Sequence, residues 1–192
     1  MRACCWYLIA ILILGTCAVA QERTLISSSI VPTDAQSLQM YLGAMLHAYQ
    51  AGDVSTFNEL ANDLKLPKAD EWFHKSFGPD QANAMNENYR RSFQAFCSRL
   101  AEDFESSGNI AAELTVQERK SKLAGTSPSL SAPTPKVDLK INSYKCVLTV
   151  PGKGRTEWMD SFVVVDGSLR YIGQGAFPFW AGPLRIKVKK TQ

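Results

Sequence analysis

Residues that carry chemistry are scarce in this chain of 192 residues. Its two histidines, His47 and His74, do not form a His-x-x-x-His pair, and none of its five cysteines forms a Cys-x-x-Cys pair. A bound metal is therefore not expected, because structural zinc sites draw their ligands from such spacings. The chain also lacks a Gly-x-Ser-x-Gly nucleophile turn, a His-Glu-x-x-His helix and a phosphate-cradling loop; Gly152-Lys153-Gly154 is a turn without the preceding glycine spacing. No cofactor is expected. Charge of one sign is wanting too: 21 Lys plus Arg stand against 18 Asp plus Glu, a formal balance of +3. A general nucleic-acid binder needs a strongly basic surface to engage phosphates, so nucleic acid is not an expected partner.

What the chain does have is a distinctive start. Arg2 is followed by an apolar run from Cys4 to Leu14 and by the small residues Gly15-Thr16-Cys17-Ala18-Val19-Ala20. A charged start, a short hydrophobic core and an Ala-x-Ala site make residues 1–20 a secretory signal peptide, cleaved before Gln21. Two other readings stay open. The run from Ala3 to Ala20 has about the minimum length for a spanning anchor, and Leu14-Gly15-Thr16-Cys17 approaches a lipidation box, with Thr16 where a smaller residue is expected. The mature protein is expected to work outside the cytoplasm, in a periplasm or as a secreted protein. Loss of Arg2 lowers the net charge to +2 and leaves 172 residues, enough for one domain with a real core.

Cleavage also removes Cys4, Cys5 and Cys17, so only Cys97 and Cys146 remain. In an oxidising compartment two cysteines predict a disulfide. Cys97 follows the apolar stripe of a long helix and Cys146 shares a strand face with Tyr144, Leu148 and Val150, so both are expected to point inward. A bridge across roughly 50 residues stabilises by about 4 kcal/mol in the chain-entropy model. The alternative is a pair of buried thiols too far apart to join.

After a flexible lead-in at 21–33, Pro32-Thr33-Asp34 marks a helix start, and Leu38, Tyr41, Leu42, Met45, Leu46 and Tyr49 recur on one face until Gly52. Asp53 or Ser55 caps a second helix carrying Phe57, Leu60, Ala61 and Leu64, which Pro67 ends. A third spans Ala69 to Phe77. The longest is expected from Asp80 to Ser106, with Met85, Tyr89, Phe93, Phe96, Cys97, Leu100 and Phe104 in helical phase and Gly108 as its stop. Core packing explains this aromatic stripe, and Arg90, Arg91 and Arg99 are placed on or beside its solvated side.

Beyond Gly108 the pattern turns to strands: Ile110 to Gln117, Ser143 to Val150, Thr156 to Val165 and Ser168 to Ile172. Between the first two, the Pro/Ser-rich stretch 125–135 is an exposed loop. Asp166-Gly167 signals a two-residue hairpin turn, which sets Val165 opposite Ser168, Val164 opposite Leu169, Phe162 opposite Tyr171 and Asp160 opposite Gly173. One face then carries Trp158, Phe162, Val164, Leu169 and Tyr171, and the alternation brings Asp160 onto it. An acid on an apolar face is either a half-exposed or amide-bonded aspartate or a pocket carboxylate with a raised pKa.

Four helices followed by an antiparallel meander, with Tyr41 to Leu60 (YLGAMLHAYQAGDVSTFNEL) and Trp158 to Gly173 (WMDSFVVVDGSLRYIG) as the matching stretches, resemble the nuclear transport factor 2-like superfamily. The second stretch is similar to the final strands of small exported bacterial members without an assigned function. The resemblance implies an α+β cone, in which N-terminal helices pack against a curved antiparallel sheet that opens at one end into an apolar pocket. The single domain is expected over 34–192. Superfamily members include isomerases, cyclases, dehydratases, phospholipid carriers and subunits that bind proteins or a second copy through the sheet. Fold alone does not choose among them.

Three functional expectations follow. The first is an exported, non-catalytic binding or interaction module with a small apolar ligand or lipid in a helix/sheet cavity lined by Tyr41, Tyr89, Phe93, Phe162 and Tyr171. The second is an isomerase-, cyclase- or dehydratase-like enzyme with Asp160 as base and Tyr41, Tyr49 or His47 as polar partner. The third concerns Phe177-Pro178-Phe179-Trp180 and the basic run Arg185 to Lys190, which suit a membrane surface or a protein partner, or else an edge strand guarded by charge.

Overall fold

The first helix, α1 (Ala35–Gln50), begins at a capping box. Asp34 Oδ1 accepts from the Ser37 amide at 2.8 Å, and Ser37 Oγ accepts from the Asp34 amide at 2.9 Å. The computed structural model describes residues 31–119 and 139–174, which belong to one compact unit. The expected signal peptide, most of the expected lead-in, the 125–135 stretch and the C-terminal aromatic and basic segment lie outside the described residues. Asp53 caps α2 (Val54–Asp63) through the Thr56 amide, Pro67 precedes α3 (Ala69–Phe77), and α4 (Pro79–Ser107) opens with proline at its first position. Among the described residues no helix is long and apolar enough to cross a membrane.

Four strands, β1 (Glu113–Arg119), β2 (Ile141–Val150), β3 (Gly154–Val165) and β4 (Ser168–Gln174), form one antiparallel sheet in sequence order. Asp166 and Gly167 turn the last hairpin with φ of 51° and 76°, the pair of positive φ values that a two-residue type I′ turn requires. Helices and sheet together make the expected α+β fold, with the helices packed on a curved antiparallel sheet. Helical elements also meet its two outer strands. The Tyr171 amide donates to Leu64 O at 2.8 Å, the Leu169 amide donates to Pro32 O, and Gln39 Oε1 accepts from the Val116 amide at 3.0 Å. Backbone groups at the sheet's margins are thereby satisfied, as buried polar groups must be.

The core lies between α4 and the helix-facing side of the sheet. Phe96 stacks on Tyr171 with ring centroids 4.3 Å apart, while Phe93 and Phe162 meet the same tyrosine at 6.0 and 5.8 Å. Three details differ from the sequence reading. A β-bulge between β3 and β4 pairs Ser161 with Gly173 and Phe162 with Tyr171, so Ile172 is the extra residue and Asp160 faces Gln174, not Gly173. Val164 pairs with Leu169 as expected, yet is 51 % exposed near the turn. Arg99 is not on the solvated side of α4; its side chain is only 22 % exposed and turns toward β3.

Candidate functional site

Helix α4 presents Ser92, Phe96, Arg99 and Asp103 at spacings of four, three and four, which line up along one face of an α-helix. Ser92 Oγ lies 3.0 Å from Tyr171 Oη, and Phe96 covers the Tyr171 ring. One turn further on, Arg99 Nη2 donates to Asp160 Oδ2 at 2.7 Å. The bulge lies beside this aspartate, where such irregularities commonly re-aim a side chain. Asp160 is 1 % exposed, so it is not the half-exposed aspartate that one sequence reading allowed.

The guanidinium of Arg99 also lies over two rings, 5.5 Å from the centroid of Phe96 and 5.7 Å from that of Trp158. An arginine so placed gains from ring faces and a carboxylate together. Burial drives the Asp160 carboxyl above its ordinary range, and Arg99 pulls it back by charge and by hydrogen bonding. Asp103 is pushed up to about 6 by burial, with Arg99 opposing and Glu102 and Asp160 adding repulsion.

Four buried polar atoms collect here without a hydrogen bond of normal geometry among the described residues: Arg99 Nε, Asp103 Oδ2, Trp158 Nε1 and Asp160 Oδ1. The Trp158 indole N–H nevertheless leans toward Asp160 closely enough to lower its pKa. A buried polar atom left bare costs about 1–3 kcal/mol. Four would cost on the order of 4–12 kcal/mol, comparable with the ~5–15 kcal/mol net stability of a whole domain. The approach of Trp158 to Asp160 offsets part of that cost.

The five expected ligand-lining residues are all buried. Tyr89, Phe93, Tyr171 and Phe162 form a continuous run of ring contacts between 5.8 and 6.1 Å, so they fill one another's space. Tyr41 is engaged elsewhere; its hydroxyl donates to Leu60 O at 2.9 Å and approaches Asp63. Tyr89 Oη likewise accepts from the Leu66 amide at 2.7 Å. Of the other proposed partners of Asp160, Tyr49 packs against Phe57 and Phe104, and His47 is exposed. A polar groove of about 480 Å³ lies apart from these rings, lined by Asp70, Asn83, Asn86, Glu87 and Arg90 of α3 and α4.

The expected disulfide is not formed: Cys97 and Cys146 are both free thiols. Helical phase gives the reason. Cys97 and Arg99 stand two residues apart, roughly 200° around the helix. Arg99 reaches β3, where Cys146 is paired with Trp158, whereas Cys97 is half-buried within the influence of Lys65 and Tyr89. Burial raises both thiol pKa values, that of Cys146 strongly.

Arg99 and Asp103 are the site residues that sequence reasoning missed. Comparison with family models, with curated proteins and with solved structures yields no significant match for this chain. The functional reading therefore rests on the geometry of the site itself.

Proposed function

We propose that this protein is an exported, non-catalytic binding or interaction module whose ligand-recognition point is the polar end of the helix–sheet core, at Arg99, Asp103, Trp158 and Asp160. The observation that carries the reading is the gathering of four buried polar atoms, none with a hydrogen bond of normal geometry among the described residues, beside the rings of Phe96 and Trp158. Ligand sites are commonly apolar, with a few placed polar groups that fix orientation. Because Phe96 and Trp158 are 1 % and 3 % exposed, an apolar ligand or lipid would reach this cluster only by parting the side chains around it. The N-terminal charged, apolar and small-residue pattern supports action outside the cytoplasm.

Native mass spectrometry of the mature protein, purified gently from an exporting host and followed by organic extraction, tests this reading. A co-purifying small molecule that is lost from an Arg99→Met variant is the expected result. A bare protein that takes up no added small molecule refutes it and moves the search to protein partners or a second copy on the sheet.

A second reading has one observation in its favour: two carboxyls of raised pKa share the site, with Asp103 near 6. This suits general acid–base work of the isomerase, cyclase or dehydratase kind. Asp160, however, is committed to Arg99 at 2.7 Å, which weakens it as a base.

A further inference from the structure

The four buried atoms at the polar end of the core are closed to solvent, and they divide into two donors, Arg99 Nε–H and Trp158 Nε1–H, and two acceptors, Asp103 Oδ2 and Asp160 Oδ1. Groups shut away in this manner are best satisfied by one another. Trp158 already leans toward Asp160, which accounts for one donor and one carboxyl. Arg99 Nε–H and Asp103 Oδ2 are then the complementary remainder. The two residues stand four apart on α4 and share a helical face, so side-chain rotation alone brings them together. Arg99 need not leave Asp160 to do this, because it holds that carboxylate end-on, through Nη2, at 2.7 Å. Asp160, Trp158 and Phe96 are all buried, whereas Arg99 and Asp103 are half-buried and form the outward side of the cluster.

Charge sets when that joint forms. One guanidinium faces two carboxyls, so a negative charge is in excess while both are ionised, and Asp103, the less buried of the two, sheds it by taking up a proton from solvent. Asp103 is faced by Arg99 and Glu102 of its own helix and by Asp160 of β3. Lys153, from the turn between β2 and β3, is committed to Ser106 O at 2.9 Å. Tyr171 and Cys146, the other titratable groups that face Arg99 and Asp160, are held neutral by burial. We propose that Arg99 and Asp103 form a proton-operated latch over Asp160 and Trp158: ionised Asp103 accepts from the Arg99 Nε–H and closes the outward side, and protonated Asp103 gives it up. The latch needs no ligand and is independent of the binding reading. Burial pushes the Asp103 carboxyl up to about 6, which places the change in the mildly acid range.

NMR of the purified, isotope-labelled protein between pH 8 and pH 4.5 tests the latch by following the Asp103 carboxyl carbon and the Arg99 Nε–H together. Asp103→Asn and Arg99→Lys variants assign the two signals. The expected result is one shared midpoint near 6. Hydrogen exchange at Arg99 Nε, measured against free arginine at each pH, should become about tenfold faster as Asp103 takes up its proton, in keeping with the loss of one charge-assisted hydrogen bond. Asp103→Asn should hold the Arg99 signal at its acid-side position at every pH. Glu102→Gln, which removes a repelling neighbour, should lower the midpoint and keep the two signals coupled. An Arg99 signal that stays still while Asp103 titrates overturns the latch, and so does one that moves as far in Asp103→Asn as in the unaltered protein. A carboxyl that does not titrate above pH 5 overturns it too.

Discussion

Replacing Arg99 by methionine should destabilise the fold by about 3–5 kcal/mol near neutral pH, because it strands the Asp160 carboxylate in a site with 1 % exposure. Methionine keeps much of the side-chain volume and the apolar contact with Phe96, so loss of the charge dominates. Asp160→Asn should cost less, about 1–3 kcal/mol, since Arg99 retains 22 % side-chain exposure and can turn its guanidinium toward water. The double variant should cost less than the two single losses added, giving a coupling of about 1–3 kcal/mol. The pH dependence has a definite sign. Without Arg99, only the Trp158 indole N–H is left to oppose the desolvation that raises the Asp160 pKa, so the folded variant binds a proton more readily than the unfolded chain. Its deficit must shrink as pH falls through the raised folded value toward the ordinary one of 3.8. Urea unfolding of the four proteins at pH 7 and pH 5 measures all of this. A loss below 1 kcal/mol for Arg99→Met, or a loss that does not change between the two pH values, would refute the reasoning.

Three further outcomes are expected. Asp103→Asn should stabilise the protein above pH 6, because the carboxyl pushed up to about 6 is ionised there at a cost; the gain should vanish as pH falls toward 3.8. The full shift would correspond to ~3 kcal/mol, but the side chain keeps partial contact with solvent, so a gain of about 1 kcal/mol is expected in thermal or urea melts at pH 7 and pH 4.5. Tyr89→Phe removes the acceptor of the Leu66 amide and leaves a buried N–H unpaired, which should cost about 1–3 kcal/mol in urea unfolding; an effect below 0.5 kcal/mol would mean that solvent reaches this amide. A protein of residues 21–192, denatured without reductant, should titrate two thiols, and in the native state Cys97 should react well before the buried Cys146. Absence of any titratable thiol would restore the bridge.

The fold was legible because its punctuation is local. Asp34, Gly52, Asp53, Pro67, Gly78-Pro79 and Gly108 bracket the four helices within a residue or two of where they occur, and Asp166-Gly167 sets the last hairpin's register near the turn. The register departs from the turn's setting where information ceases to be local. A bulge two-thirds of the way along β4 displaces every later pairing by one, and nothing in Tyr171-Ile172-Gly173 announces it apart from the glycine, whose φ of 153° accommodates the irregular backbone. Cys97 and Cys146 stay unbridged for a related reason. Cys97 is one position beyond Phe96, and about 100° of helical phase is enough to turn it from the sheet toward Lys65.

The site was half legible, and the missing half follows from a complementarity that a one-element reading passes over. Asp160 was placed on the apolar face of β3 by alternation alone, and a carboxylate so buried is stable only with an opposite charge or hydrogen-bond donors on the element packed against it. The longest helix provides that packing surface. Its basic residues are Arg90, Arg91 and Arg99, and only Arg99 shares a helical face with Phe96, which stacks on the sheet, and with Ser92, which meets Tyr171. Arg90 and Arg91 are exposed. An inward aspartate on one element thus singles out one arginine on another, provided that phase is judged relative to the stacked aromatic and not to the mean apolar stripe. Asp103 then follows one turn after Arg99, a second acid drawn to the same cation and raised by the same burial. Polar residues that break an apolar pattern on two facing elements in matched phase are the sequence-level mark of a buried pair.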